Sequence, residues 1–325
     1  MSDLRPSVFK FRSSDIVNMH LRYDEDFVEE AVRLCATGRR KGVALFQIAR
    51  FNRERERLYD IVDPDERNSA FFRLHLEWFR EWGLERLLTK PLEEFPLLPA
   101  ALNVLAFRKS RTRSDDGTEL YVNEAGDRNG VVAICAERLT REQELGAFLR
   151  HELMHLQDMV DPAFDYAPEL PLSGTFMSQR RVARERYRLL WDVTIDGRLT
   201  RERRDTVATK EQRQREFATA FAFWPEVRQQ EVFEALWTNP SPTHQLLADL
   251  ACDPREMQAN FGVRPGAACP LCGFPTFTWA TAASLTDRTV STIRSEFPDW
   301  KPEQGACARC CEIYRINRPQ ALAVI

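Results

Sequence analysis

The chain has no apolar run that approaches the ~20 residues needed to cross a bilayer. Its first twenty residues mix Arg, Lys, Asp and Ser without a continuous apolar core, so a secretory signal is not expected and the cytoplasm is the expected location. Charge of one sign is missing too. A net charge of -3 argues against a generally basic nucleic-acid binder and leaves only local patches for that role. There is no internal repeat and no low-complexity tract. Histidine is scarce, with five in 325 residues, and a grouping of histidines counts only together with its context.

What is present fits a globular protein with a real core. Hydrophobic residues make up 43% and charged residues 29%, and the length allows two domains or one large domain with an appendage. The eight cysteines fit a reducing compartment better as metal ligands than as disulfides. Cys35, Cys135 and Cys252 sit singly in apolar or helical contexts and read as small buried hydrophobes.

The first hundred residues read as helical, with helices over 26–36, 43–59 and 65–88. Asp63 and Pro64 supply a cap and a first-turn proline for the third. Its stripe of Phe71, Phe72, Leu74, Trp78, Phe79 and Trp82 reads as core. Short antiparallel strands are expected at 102–107, 119–123 and 131–136, separated by the turn compositions Ser114-Asp115-Asp116-Gly117 and Asp127-Arg128-Asn129-Gly130. A capping pattern of Thr140 and Gln143 then predicts a helix to about Asp158. Proline marks a loop over 161–175, a long charged helix follows over 178–204, and two or three more helices lie between Lys210 and Asn260. From Gly266 the composition turns to Cys, Pro, Gly and Thr. The expected organisation is an α+β fold: a helical region over 1–100, a domain with a short antiparallel sheet over 101–262, and a small metal-stapled module over 263–325.

Two constellations carry chemistry. The first is His151-Glu152-Leu153-Met154-His155, the pattern H-E-x-x-H. Residues four apart on a helix lie about 40° apart and one turn along, so both imidazoles can reach one cation. Glu152 is adjacent but turned past that cation, where a general base for a water belongs. Leu145, Leu149, Leu153 and Leu156 repeat at helical spacing and form the core stripe, with the two histidines projecting largely from the other face. A hydrolytic centre needs a third protein ligand and an open position. Asp192 and Asp196, in the most apolar part of the Arg-rich helix, are the candidates, one as ligand and the other as its support. The bland alternative pairs them with Arg188 and Arg198 on a solvated face.

The second constellation is Cys269-Pro270-Leu271-Cys272-Gly273 with Cys307-Ala308-Arg309-Cys310. Two C-x-x-C pairs complete a closed tetrahedral site, with Phe274 to Trp279 suited to a β-hairpin arm. Cys311 is one thiol too many and reads as spare, with replacement of Cys310 in register as the alternative.

Strands, then a helix with H-E-x-x-H, then a later helix with an acidic residue, resemble the zincin metallopeptidases and stand nearest the gluzincin arrangement over about 102–204. The C-terminal cysteines are similar to a zinc ribbon. The resemblance implies a catalytic zinc on His151 and His155, a structural zinc on Cys269, Cys272, Cys307 and Cys310, and peptide-bond hydrolysis with Glu152 as base. Where gluzincins carry Glu and then Asp four residues on, this chain has Asp192 and Asp196. Simple register gives Asp192 the ligand place. Trp191 to Asp196 also resembles bacterial zincin-like proteins with a W-N-x-x-x-D helix, and on that ground Asp196 is slightly favoured. The strand at 131–136 would be the edge that receives an extended peptide. Tyr166, Tyr187 and His244 are candidate oxyanion donors, among which the sequence does not choose. A different reading makes the chain a non-catalytic or DNA-associated module, with the ribbon as the platform for a nucleic acid or protein partner. The SprT-like proteins combine H-E-x-x-H with a C-terminal ribbon, but use a third His downstream that is not found here. Glu and Asp interleave the Arg-rich segments, so a salt-bridged surface is their default explanation.

Overall fold

The computed structural model describes residues 12–16, 19–38, 42–170, 177–252, 268–276, 278–280 and 285–316. The expectations placed on 171–175, on 253–267 and on Phe277 lie outside them. Among the described residues no helix is long and apolar enough to cross a membrane.

The chain is α+β. Strand β1 (Arg12–Ile16) and strand β2 (Met19–Tyr23) open it, followed by helices α1 (Glu25–Ala36), α2 (Leu45–Arg57), α3 (Pro64–Glu81), α4 (Leu84–Thr89) and α5 (Leu97–Ala101). Strands β3 (Val104–Lys109), β4 (Gly117–Val122) and β5 (Arg128–Ile134) lead to helix α6 (Glu142–Val160). Helices α7 (Met177–Arg201), α8 (Lys210–Ala220), α9 (Glu226–Thr238), α10 (His244–Cys252), α11 (Asp287–Glu296) and α12 (Ala308–Ile316) complete it. The chain divides into two units. One comprises Met1–Glu169, Leu189–Ala218 and Gln230–His244; the other comprises Leu170–Arg188, Thr219–Gln229 and Gln245–Ile325.

The sheet of the first unit corrects the antiparallel expectation, for it is mixed, in the order β1-β2-β3-β5-β4. β2 runs parallel to β3 and β3 parallel to β5, while β1 and β4 pair antiparallel at the two edges. Parallel neighbours need a long crossover, and α1 to α5 supply one between β2 and β3. Between β3 and β5 the chain goes out to the edge as β4 and turns back, so β5 slots in beside β3. Strands β1 and β2 were not foreseen in the first hundred residues. Yet β2 carries a readable signal: Met19, Leu21 and Tyr23 are buried while His20 and Arg22 are exposed, the period-2 alternation of a half-buried strand.

Local chemistry explains the element boundaries. Asp63 accepts a hydrogen bond from the Glu66 amide and Pro64 opens α3, as its sequence predicts. The expected single helix over 65–88 is two, because Gly83 adopts φ +69° and ends the first. α6 begins at Glu142 without a side-chain cap. Thr140 does not cap it, since its hydroxyl donates to the Glu137 carbonyl within the preceding 3-10 turn. The β4–β5 hairpin turns at Asn123 to Asp127, two residues held together by side-chain bonds of 2.8 and 2.9 Å. Gly130 is therefore in a strand and not in a turn, and a Cβ there would lie 2.7 Å from Leu156 Cδ2. This close approach seats α6 on the sheet.

Leu145, Leu149, Leu153 and Leu156 are fully buried, each contributing about 1.5–3 kcal/mol. On α7, Gly197 meets the α9 backbone: a Cβ would come within 2.2 Å of the Trp237 carbonyl oxygen. Backbone cannot swing away as a side chain can. Gly197→Ala is expected to lower stability by about 3 kcal/mol through overpacking. Denaturant unfolding checks this, and a wild-type midpoint would show that α7 and α9 do not pack so closely.

Candidate metal centres

In the first unit α6 and α7 face one another through four side chains. Asp192 Oδ1 lies 3.0 Å from His155 Nε2 and 3.4 Å from His151 Nε2. Ligand atoms of His151, His155 and Asp192 all fall within 4.8 Å of one another. Zinc with arms of about 2.1 Å has tetrahedral edges of about 3.4 Å, so the donor set fits a cation of that size. Both histidines are buried, although the expected stripe put them on the face opposite the leucines; α7 covers that face.

Asp196, the carboxylate slightly favoured from sequence as ligand, takes the other place. It is 0% exposed, and its Oδ1 sits 3.1 Å from His151 Nδ1. A proton shared there leaves Nε2 with its lone pair for a cation, the usual role of a supporting carboxylate. Asp192, a turn earlier on α7, faces both Nε2 atoms. The solvated-face alternative fails for the same reason. Arg198 is occupied elsewhere, gripping Asp158 at 2.8 and 2.5 Å.

The cationic partner of the two aspartates is Arg213 on α8, which sequence reasoning missed. Its Nε donates to Asp196 Oδ2 at 2.7 Å, and its Nη1 lies 3.4 Å from Asp192 Oδ2. Nothing in Lys210-Glu211-Gln212-Arg213-Gln214-Arg215 sets this arginine apart from its neighbours, so only the fold identifies it. Burial disfavours charge on His151, but hydrogen bonds and charge from Asp192 and Asp196 outweigh it and raise the pKa to about 10. Burial likewise pushes Asp192 up, and His151 and His155 hold it well below the ordinary carboxylate range. The two aspartates thus favour positive charge at the imidazoles.

The support is dense. Trp191 packs edge-on against His155 at 4.6 Å, and its indole N–H donates to Asp158 at 2.7 Å. Arg150 anchors α6 to Glu94 through bonds of 2.9 and 3.0 Å. Glu152 is buried on α6 beside His151. Of the candidate oxyanion donors, the Tyr166 ring lies 5.7 Å from that of Trp191 and 5.7 Å from that of His244. Tyr187 falls in the second unit. α6 packs against β4. β5, expected to be the receiving edge, is paired on both sides, and β4 is the edge strand instead.

In the second unit Cys269, Cys272, Cys307 and Cys310 place their sulfurs within 4.8 Å of one another, with Cys272 and Cys307 3.9 Å apart. Zinc–thiolate arms of about 2.3 Å give edges of about 3.8 Å, which this matches. Amides point at sulfur: Cys307 N donates to Cys269 Sγ and Cys310 N to Cys307 Sγ, both at 3.3 Å. Burial opposes a charged Cys269, but such amide donors bring its pKa down to about 7. Burial and the adjoining sulfurs push Cys310 up. Four sulfurs this close form a group that could hold a cation between them.

The surrounding module differs from the β-hairpin expectation. Only single bridges, Ala268 with Pro275 and Trp279 with Cys307, link its extended pieces among the described residues. The second cysteine pair instead enters α12, whose N-terminal dipole favours thiolates, with the Cys310 amide turned to Cys307 Sγ. Cys311 is buried, and its amide caps back to the Cys307 carbonyl. Cys35 and Cys135 are buried thiols, and Cys252 is half-buried.

No protein-family model, no curated protein and no solved structure matches the chain. The assignment of function therefore rests on the two donor sets.

Proposed function

We propose that the chain is a zinc-dependent metallopeptidase of the zincin type, with a second, structural zinc in a ribbon-like module. One observation carries this reading. α6 sets His151 and His155 so that their Nε2 atoms converge with Asp192 Oδ1, and Glu152 is buried on the same helix.

A cation held by His151, His155 and Asp192 would lower the pKa of water and polarise a carbonyl. Glu152 accepts the proton of the attacking water and returns it to the leaving amine. Asp196 fixes the His151 tautomer, and Trp191 with Asp158 fixes the His155 ring. The free edge of β4, beside α6, offers backbone donors and acceptors to an extended peptide, which β5 cannot do. The cysteine cluster has no position for substrate and serves folding.

Metal stoichiometry tests the reading. The intact chain is expected to bind two zinc ions, and His151→Ala to bind one and lose hydrolysis of a denatured protein substrate. Two ions retained in His151→Ala would mean that the histidine centre holds no metal.

A further inference from the structure

Arg213 is a costly residue to bury, with a side chain 9% exposed, and a guanidinium out of water needs its charge matched. Its contacts are unusual in how they divide the two aspartates. Nε donates to Asp196 Oδ2 at 2.7 Å, while Nη1 donates to Glu216 Oε2 at 2.9 Å and lies 3.4 Å from Asp192 Oδ2. The other oxygen of each aspartate goes to imidazole: Asp196 Oδ1 to His151 Nδ1, and Asp192 Oδ1 to Nε2 of both His151 and His155.

A carboxylate left to itself can give both oxygens to one cation. In a hydrolytic centre that second oxygen would fill the position water must occupy. We propose that Arg213 is a positioning residue: by holding Oδ2 of Asp192, it restricts that aspartate to one oxygen toward the cation and keeps a coordination position open. The inference rests on the histidine centre binding metal, as read above. Charge balance agrees with it. Asp192 and Asp196 bring two carboxylates to the imidazoles and Arg213 offsets one of them, which leaves the centre with negative charge that a cation would balance.

A purely structural Arg213 would neutralise Asp196 and nothing more. Its loss would then lower stability without changing how Asp192 meets the metal. Cobalt(II) separates the two roles, because its visible absorption is strong when four-coordinate and weak when more ligands bind. The probe is cobalt loaded into the full-length protein, with the spectrum of His151→Ala subtracted to remove the cysteine site.

Arg213→Met is expected to keep its histidine-dependent cobalt but lose visible absorption several-fold. Arg213→Lys keeps a buried charge and lacks the planar fork, so it should move in the same direction and stands in if the Met variant does not fold. A wild-type cobalt spectrum in Arg213→Lys, or in a folded Arg213→Met, would overturn the role. Failure of the metal reading looks different: the wild-type protein would then take up no cobalt that depends on His151.

Discussion

Glu152→Gln is expected to reduce peptide hydrolysis by about 10²–10⁴-fold while both metal ions stay bound. The substitution keeps shape and burial but removes the carboxylate's capacity to take a proton. Glu152 lies on a helix whose register is set by four buried leucines and by the Arg150–Glu94 pair, so the amide should occupy the same place. Neither His151 nor His155 uses Glu152 in the contacts that gather them, which run to Asp192 and Asp196. Metal retention and activity should therefore separate. The checks are metal content after gel filtration and turnover of an unfolded protein substrate. Loss of metal along with activity would make Glu152 a structural or ligating group. Full activity would remove it from the mechanism. A fall in the rate of the chemical step with an unchanged KM is the signature of a group acting in the transition state.

The parts of this centre that are local in sequence were legible, and those set by tertiary packing were not. His151, Glu152 and His155 share one helical turn, and their spacing alone puts them together. Asp192 and Asp196 could be nominated because two carboxylates stood in an apolar stretch, but their roles hang on the rotation of α7 against α6, which no pattern in the chain encodes. Arg213 is further still: its function comes from where α8 delivers it, and its neighbours Arg215 and Lys210 look the same in sequence. The sheet shows a similar split. β3, β4 and β5 were located to within a few residues, whereas their pairing was misjudged because strand order is a non-local property. That error moved the expected peptide-binding edge to β5, when the outermost strand beside α6 is β4. β2 was missed through shortness, since five alternating residues give a weak signal.

The second large effect concerns the cysteine cluster. Removing a metal bound there, or changing Cys307 to Ser, is expected to unfold α11 and α12. Among the described residues the core there is small. Ile293, Trp300 and Ala306 are its buried members besides Cys269, Cys307 and Cys310, with Leu271, Leu285, Val290, Phe297 and Tyr314 packed partly against them. Burial of a large apolar side chain stabilises by about 1.5–3 kcal/mol, against about 1–2 kcal/mol of backbone entropy for every residue ordered. Such a core cannot hold two helices alone. A structural zinc contributes about 10–16 kcal/mol at neutral pH, enough to decide the balance. The amides of Cys307 and Cys310 bond to sulfur, so the start of α12 depends on the cluster directly. Trp300 is a convenient reporter, buried and donating its indole N–H to the Gly305 carbonyl. Chelation should expose it, red-shift its emission, and abolish amide protection across α11 and α12. Protection in the first unit should persist around β2, β3 and α6, which have their own buried side chains. Helices α11 and α12 that stay protected in Cys307→Ser would mean that the module folds on its apolar core, with the four cysteines doing something other than stapling it.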